Sequence, residues 1–520
     1  MSLAPLSRPD AVRPRRGRTA LQLPEQRQPG QVDPAGRPCG PRVPVVVGPA
    51  PRRGAPLVAL ALVGSGATGA ACVVSPAYGA AAALLAVLAV VGWARPQLVV
   101  YSAVLLAPVL PGLRRGLPVP GLRVSEILIV AAFAAGTGLL GARGRQTWRA
   151  LDWLWFVFCA LSVVLGVVHL LSRDVPVVGD DLNKLAGPTQ FFLLYRAVRC
   201  GLPSAHQRDV AMRLGLLASV PVSLLALAQF FDVPGVRATI ISLTDSATAQ
   251  DSAFAGIVRT TGPFSHWHSL AGYLLLVVPL AVVLAMTREQ RVLARPLLLA
   301  IAALDVVALL STTTLVPIAC TVLAVAVVAV RRGRLLHVLA VGAVLAAVIG
   351  VLFGGNLAER VQSQLGQRAP AYEVAQPDVS WLPGNLGFRA RVWTDQYLPV
   401  ISDHAVTGYG PDIPPSVTWQ STESLYITLL MRGGVLLLAS YALLVVAMWR
   451  RARRADPRGP SRGPDVDPHT RAVGLTVWAG LIALTFAQLV HPYFTDAGLP
   501  HLLAVMVALL PVAASRKDLA

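Results

Sequence analysis

Residues 354–423 bring together cations, aromatic rings and acids in a chain that is only 14% charged and 6% aromatic. Cationic groups can bind an anion, while aromatic rings and carboxylates can bind a sugar. The residues of this kind are Arg360, Arg368, Trp381, Arg389, Arg391, Trp393, Asp403, His404, Tyr409 and Glu423. The mixture favours an anionic, sugar-bearing ligand; the alternative is a solvated loop whose arginines lie along a surface.

Two further charges, Asp305 and Arg432, lie inside long apolar segments. A charge within hydrocarbon is costly, so such a residue normally faces the protein interior or a water-filled cavity. The two either form a structural ion pair with each other or line the floor of a ligand cavity. Gly433 and Gly434 directly follow Arg432 and permit a kink or a close helix approach.

The apolar segments define the class of protein. Of the 520 residues, 55% are hydrophobic, and the mean hydropathy is +0.61. A soluble protein of this length needs far more charged surface to cover its cores. We therefore predict an all-α protein, a polytopic transmembrane helical bundle of about 12–14 spans embedded in the lipid bilayer.

Uninterrupted apolar stretches give the candidate spans. They lie near 57–74, 78–94, 97–112, 124–141, 152–172, 184–200, 212–231, 269–286, 295–310, 313–330, 335–353, 424–449, 472–491 and 498–514. Arg114, Arg115 and Arg123 follow the third stretch on the predicted outer side, against the charge rule for membrane topology. The third stretch is therefore alternatively a re-entrant or interfacial segment.

Arginine clusters orient the spans. The net charge is +19, and arginines recur in alternate connections, most densely in 450–471. Cytoplasmic loops carry this excess, so we predict that both termini and the basic loop 450–471 are cytoplasmic, and we expect no nucleic acid partner. The transmembrane domain spans 55–514 after an Arg- and Pro-rich tail, 1–54, that is predicted to be disordered.

The same topology places a smaller loop, 232–268, and a large loop, 354–423, outside the membrane; we expect short helices in the large one. Long loops between short ones usually carry function. The bias toward Arg, Ala, Val, Leu, Gly and Pro fits a GC-rich bacterial genome, which predicts the bacterial cytoplasmic (inner) membrane as the location.

Two sequence blocks, one at the end of each outer loop, resemble a known family. The first, Arg259-Thr-Thr-Gly-Pro-Phe-Ser-His-Trp-His-Ser-Leu-Ala-Gly-Tyr273, runs into an apolar helix. The second contains GFRARVWTDQYLPVISDHAVTGYGPD followed by STESLYITLLMRGG. Over residues 97–450 the chain is similar to the O-antigen ligase and polymerase superfamily. Thr422 and Glu423 stand where many ligases have a His-Asn pair, and 311–314 lacks an Arg that is frequent there.

The resemblance implies transfer of a glycan from a polyprenyl-diphosphate carrier to a hydroxyl group of an acceptor glycan or glycolipid, on the outer face of the membrane. Guanidinium groups can bind the leaving diphosphate bidentately without a metal, so Arg259, Arg389 and Arg391 are candidate diphosphate ligands. A helix-end ion pair is the alternative for the last two. No cofactor and no metal ion are expected.

The acceptor hydroxyl must lose a proton in such a transfer. Glu423 and His404 are the candidate catalytic bases, with Asp403 as a third. A simple loop hydrogen bond is the alternative for His404. His266 and His268, at the mouth of a span, are explained equally well as members of an interfacial aromatic belt.

Two other functional classes remain open. A lipid-linked glycan transporter or flippase would need no transferase chemistry, although such folds often contain repeated halves and none is evident here. A glycosyltransferase that uses polyprenyl-phosphate sugars generally has acidic residues in its first outer loop, which 75–77 lacks. The chain also has no nucleotide phosphate-binding loop, and its five cysteines show no metal-ligand spacing.

Overall fold

The computed structural model describes residues 76–115, 122–140, 148–173, 179–244, 259–287, 291–336, 384–455, 467–495 and 498–510, with short pieces between 63 and 68 and between 338 and 362. Within these ranges the protein is an all-α helical bundle, so the predicted fold class is confirmed. The predicted tail 1–54 and most of the predicted spans 57–74 and 335–353 lie outside the described residues.

Fifteen α-helices follow one another in the described residues. They are α1 (Pro76–Ala94), α2 (Pro96–Leu106), α3 (Val124–Phe133), α4 (Ala150–Ser172), α5 (Gly179–Gly201), α6 (Ala205–Phe230), α7 (Val236–Thr244), α8 (Trp267–Met286), α9 (Arg295–Ser311), α10 (Leu315–Arg332), α11 (Gly384–Arg391), α12 (Leu398–Asp403), α13 (Leu425–Arg454), α14 (Pro468–Ala487) and α15 (Leu499–Leu509). A π-helical segment, Val392–Tyr397, joins α11 to α12. The described part of the large loop thus contains the short helices that were predicted.

The protein is a membrane protein. Among the described residues, six helices (α4, α6, α8, α10, α13 and α14) are long and apolar enough to cross a membrane. Large apolar side chains on their outer surfaces, such as Val168, Leu171 and Val322, are exposed and suit contact with lipid. The total of 12–14 spans stays a prediction, because several other helices are short and two predicted spans are largely undescribed.

Helix α2 is too short to cross the bilayer by itself. Its 11 residues rise about 16 Å, against a hydrocarbon thickness of about 30 Å. The chain then turns through a 3₁₀ segment, and the backbone N–H of Arg114 donates to the carbonyl of Leu243 at the end of α7. The described helix is therefore shorter than the predicted span 97–112, and the re-entrant alternative stays a prediction.

Helix α8 is the centre of the bundle. In its apolar stretch 83% of the residues are buried, compared with 33% in α4 and in α10. It packs against α9, α10, α14 and α15, and Gly272 gives room for Tyr493 and Leu499 on one side. The residues at the start of α8 are therefore attached to the most enclosed element of the described fold.

Contacts between helix ends gather the predicted cytoplasmic arginines at one end of the bundle, here called the basic end. Arg213 donates to the carbonyl of Val292 at 2.7 Å, which joins the start of α6 to the start of α9. Arg451, at the end of α13, donates to the carbonyl of Leu510 at 2.6 Å and reaches Tyr195 of α5. The opposite end, called the site end, receives the described parts of both predicted outer loops.

Helix α13 is interrupted at Gly433 and Gly434, as the Gly pair in the sequence allows. Gly434 has φ +60°, and a Cβ there would overlap the carbonyl oxygen of Val406. The freed backbone N–H of Val435 donates to the carbonyl of Ala405 at 2.8 Å. The break therefore serves as a docking place for the backbone of the large loop.

Candidate functional site

The first sequence block is fixed by buried hydrogen bonds before α8 begins. Thr260 and Thr261 are fully buried. Gln229 of α6 accepts from the backbone N–H groups of Thr261, at 2.9 Å, and Gly262, at 3.1 Å. The hydroxyl groups of Thr260 and Ser311 lie 2.7 Å apart, which attaches the block to the turn between α9 and α10.

Glycines on neighbouring segments make room for the same block. Phe264 is fully buried. A Cβ at Gly112 would overlap the carbonyl oxygen of Pro263, and one at Gly498 would lie 2.7 Å from the ring of Phe264. Residues 262–264 thus fill a space that exists because Gly112 and Gly498 have no side chains. This packing fixes the direction in which the chain enters α8.

Three imidazole rings and a phenol, here called the histidine cluster (His266, His268, His491 and Tyr493), lie at the mouth of α8. The rings of His268 and His491 stack with centroids 3.9 Å apart, and those of His266 and His268 with centroids 4.8 Å apart. The Nδ1 atom of His268 is 3.2 Å from the hydroxyl oxygen of Tyr493, and the Nδ1 atom of His266 accepts from the backbone N–H of His268. The two residues of the first block therefore belong to an organised polar cluster.

Two of the predicted diphosphate ligands approach this cluster. The guanidinium of Arg259 lies 4.7 Å from the centroid of the Trp267 ring, in a cation–π contact. The charges of Arg259 and Arg389 both act on the imidazole of His268. Two residues that are 130 positions apart in the sequence therefore lie near the same imidazole.

Arg389 is held by Glu423. Its Nη2 atom lies 2.9 Å from Oε2 of Glu423, and the two side chains are only 15% and 21% exposed. Glu423 has φ +53°, a left-handed backbone conformation that is unfavourable for a residue with a Cβ. Strained positions of this kind concentrate at functional sites, where the surrounding contacts hold them.

Aromatic residues of the large loop support the strained segment. The indole N–H of Trp393 donates to the carbonyl of Thr422 at 2.7 Å, directly before Glu423. The hydroxyl of Tyr397 donates to the carbonyl of Trp419 at 2.7 Å. Burial, with a smaller contribution from the negative charge of Glu423, raises the pKa of Tyr397 to about 12. Tyr397 therefore stays protonated and keeps donating this hydrogen bond at physiological pH.

Gln488, at the end of α14, fixes the start of α13 relative to the histidine cluster. Its carbonyl accepts from the backbone N–H of Leu425 at 3.0 Å and from the hydroxyl of Ser424 at 3.3 Å. Its side-chain oxygen accepts from the hydroxyl of Tyr441 at 2.6 Å. Because His491 follows three residues later, the segment that carries Glu423 and the segment that carries this imidazole share one anchor.

Arg391 is placed differently from Arg389. The two lie two positions apart on α11, which separates them by about 200° around the helix axis, so they face different surroundings. Within the described residues, the Arg391 guanidinium makes no hydrogen bond or ion pair with another side chain. The structure therefore gathers two of the three predicted diphosphate ligands, Arg259 and Arg389.

His404 also lies away from the Arg389–Glu423 pair. It is exposed, as is Asp403, and its ring packs edge-on against Tyr409 at 5.6 Å. The backbone N–H of Tyr409 donates to the carbonyl of Met431, about 10 Å further along α13 than its first residue. The two predicted bases, Glu423 and His404, are thus separated by about two helical turns.

Asp305 and Arg432 do not form the ion pair that was one of the two interpretations of these residues, and a place on a cavity floor stays a prediction. Asp305 is fully buried between α9 and α6, where it accepts from the hydroxyl groups of Ser219, at 2.8 Å, and Ser223, at 2.6 Å. Arg432 lies at the break of α13, where the charge of Asp412 acts on it. Two nearby hydroxyl donors satisfy the carboxylate, and the helix break carries the arginine toward the large loop.

A cluster with metal-ligand chemistry lies at the basic end. Asp209, Asp467 and His469 bring their ligand atoms within 4.8 Å of one another. The Nε2 atom of His469 accepts from the backbone N–H of Arg291 at 2.8 Å, so Nδ1 carries the hydrogen and donates to Asp209 at 2.6 Å. The backbone N–H of Arg291 therefore occupies the Nε2 lone pair that His469 would need to bind a metal ion. The contacts of His469 act as a structural link between α6, α14 and the segment before α9.

No protein-family model and no curated protein sequence matches this chain. The functional case therefore depends on the site geometry and on the two sequence blocks. Sequence reasoning missed His491 and Tyr493, which come from a third segment, and it treated His266 and His268 as a possible aromatic belt. The available signal was the chain's low histidine content: three of only nine histidines meet at this point.

Proposed function

We propose that this protein is a glycan ligase or polymerase that works on the outer face of the membrane in cell-surface polysaccharide biosynthesis. It transfers a glycan from a polyprenyl-diphosphate carrier to a hydroxyl group of an acceptor sugar. The observation that supports this function is the meeting of Arg259 and Arg389 beside Glu423 and the histidine cluster. These groups come from the two sequence blocks that resemble the superfamily.

The two guanidinium groups suit a leaving diphosphate. In the transfer, the acceptor oxygen bonds to the anomeric carbon of the donor sugar, and the bond from that carbon to the diphosphate oxygen breaks. The departing diphosphate takes the electron pair, so preorganised cations at this point lower the barrier. Arg389 uses Nη2 to bind Glu423, which fixes its orientation and leaves other N–H donors of the planar group for phosphate oxygens.

The charge pattern orients the site. The basic end carries the arginines that positive-inside topology assigns to the cytoplasm, so the site end faces outward. We place the protein in the bacterial cytoplasmic membrane with both termini in the cytoplasm. The polyprenyl chain of the donor then lies in the bilayer, and its diphosphate lies at the outer surface, level with the start of α8.

The direct test is transfer in vitro. The full-length protein in nanodiscs is given a polyprenyl-diphosphate oligosaccharide and a fluorescent acceptor glycan, and the product is separated by chromatography. We expect metal-independent transfer that falls at least tenfold in Arg259→Ala and Arg389→Ala, because each removes a charged donor to the leaving group. Arg389→Lys should not restore the rate, since an ammonium group cannot bind bidentately.

Arg454→Ala is the matched control, because Arg454 is exposed at the basic end of α13. A wild-type protein that transfers no glycan to any acceptor would overturn the proposal. If that protein instead moves the lipid-linked donor between the leaflets of a vesicle, it is a flippase. Full activity of both alanine variants would show that neither arginine binds the leaving diphosphate.

A further inference from the structure

We infer that the proton acceptor of the transfer is His268, held in place by Tyr493, and that Glu423 instead orients Arg389. This inference rests on the proposed function, and it concerns a residue that the sequence blocks alone did not single out as a base. It depends on three features of the site: the Arg389–Glu423 ion pair, the contact of His268 with Tyr493, and the stacking of the imidazole rings.

The ion pair occupies the carboxylate of Glu423. Its Oε2 atom accepts a hydrogen bond from Nη2 of Arg389, so this oxygen is engaged by the guanidinium and is not presented to an acceptor hydroxyl. In the structure the two side chains are 2.9 Å apart and mostly buried. To free the carboxylate, the protein would have to move the same guanidinium that binds the diphosphate. The geometry therefore assigns Glu423 to positioning Arg389.

His268 has the geometry of a positioned base. Its Nδ1 atom lies 3.2 Å from the hydroxyl oxygen of Tyr493, which is fully buried. When Nδ1 carries the hydrogen and donates to that oxygen, Nε2 keeps its lone pair. Among the described residues, no hydrogen bond engages Nε2. A base whose second nitrogen is fixed by a buried partner is the arrangement that general-base catalysis uses.

The stacking of the rings supports a proton-transfer role over metal binding. The planes of His268 and His491 are 18° from parallel with centroids 3.9 Å apart. Imidazole lone pairs lie in the ring plane, so stacked rings do not direct them at a common ion. Two stacked imidazolium cations would repel each other and the nearby Arg259 and Arg389. The stacked rings therefore suit a proton acceptor beside two cations better than a metal site.

Nε2 of His268 takes the proton of the acceptor hydroxyl as the acceptor oxygen bonds to the anomeric carbon. The bond between that carbon and the diphosphate oxygen breaks, and the diphosphate leaves with the electron pair, bound by Arg259 and Arg389. The resulting imidazolium lies next to the new anion, which stabilises it until the proton passes to solvent or to the diphosphate.

His268→Asn is the main test, because an amide can still donate to Tyr493 but cannot accept the proton at neutral pH. We expect kcat to fall about 100-fold or more, the typical effect of a lost general base. Binding of a fluorescent polyprenyl-diphosphate donor, measured separately in nanodiscs, should stay within threefold of the wild type. Transfer by the wild type with His268→Asn also within threefold would refute the inference and leave the proposed function standing.

Tyr493→Phe tests the positioning contact. Loss of the hydroxyl should lower kcat about tenfold at an unchanged KM for the donor and shift the acid limb of the pH–rate profile, which a purely structural role would not do. Tyr426→Phe is the matched control, since it removes a hydroxyl that donates to the carbonyl of Thr485 at 2.9 Å and not to a residue of the cluster. Equal profiles for both variants would contradict the positioning role.

Glu423→Gln completes the set. If Glu423 orients Arg389, this variant should raise KM for the donor more than it lowers kcat, because the amide holds the guanidinium weakly. The opposite result, a 100-fold lower kcat at an unchanged KM together with an active His268→Asn, would identify Glu423 as the base. The wild-type rate is measured alongside every variant. A wild type that transfers no glycan contradicts the proposed function, whereas an active wild type with unexpected variants contradicts only the assignment of the base.

Discussion

The strained backbone of Glu423 predicts an unusual order of stability among its variants. A left-handed conformation costs a residue with a Cβ about 1–2 kcal/mol, and Glu423 has φ +53°. Glu423→Ala and Glu423→Gly both lose the ion pair with Arg389, but only the glycine variant also loses the backbone strain. The glycine variant is in turn destabilised by about 0.4–1 kcal/mol, because its unfolded chain has more conformational entropy to lose on folding. We therefore expect Glu423→Gly to be more stable than Glu423→Ala by roughly 0.5–1 kcal/mol.

Reversible unfolding by SDS in mixed micelles measures this difference, which corresponds to about a two- to fivefold change in the equilibrium constant. Both variants should lose transfer activity to the same extent, because neither has the carboxylate. Asp395 provides the control: it is exposed in a helical segment, so Asp395→Ala should be more stable than Asp395→Gly. A Glu423→Ala variant that equals or exceeds Glu423→Gly in stability would show that the strain is not stored at this position.

Three further results are expected. Arg391→Ala should keep transfer within about threefold of the wild type while Arg389→Ala loses at least tenfold, measured with the same donor, since the two arginines face different sides of α11. Gly112→Ala should lower stability by about 1–3 kcal/mol in the SDS assay, because its Cβ would overlap a backbone carbonyl of the first block. In intact cells, a membrane-impermeant thiol reagent should label Ala375→Cys and miss Pro460→Cys; the reverse labelling would contradict the topology.

Apolar patterning predicted the helices well, because length and hydropathy determine which segments enter a bilayer. The predicted spans 152–172 and 295–310 correspond to Ala150–Ser172 and Arg295–Ser311. Patterning could not show that 97–112 yields only the short helix Pro96–Leu106, since that outcome depends on how the following turn packs against α7. Hydropathy indicates which segments can form apolar helices, while packing against neighbouring segments determines where each helix ends.

The site was predicted in part. Arg259, Arg389 and Glu423 could be chosen because cations and acids at the ends of outer loops suggest anion chemistry. His491 and Tyr493 could not be assigned in the same way, because they lie in a short connection after α14 and reach α8 only through tertiary packing. The pairing of Asp305 with Arg432 failed because two serine hydroxyl groups on α6 already satisfy the carboxylate. A charged residue in an apolar segment is expected to have a polar partner, but the sequence does not show which residue that partner is.

The burial of α8 has a consequence for how such a protein can diversify. The histidine cluster begins on a helix that is enclosed by its neighbours in the described fold, so most substitutions along that helix disturb a packed neighbour. The large loop meets the bundle through backbone contacts at the break of α13, which constrain side chains less. If the protein has the proposed function, exchange of residues in the large loop should change its glycan specificity while the groups at the start of α8 stay in place.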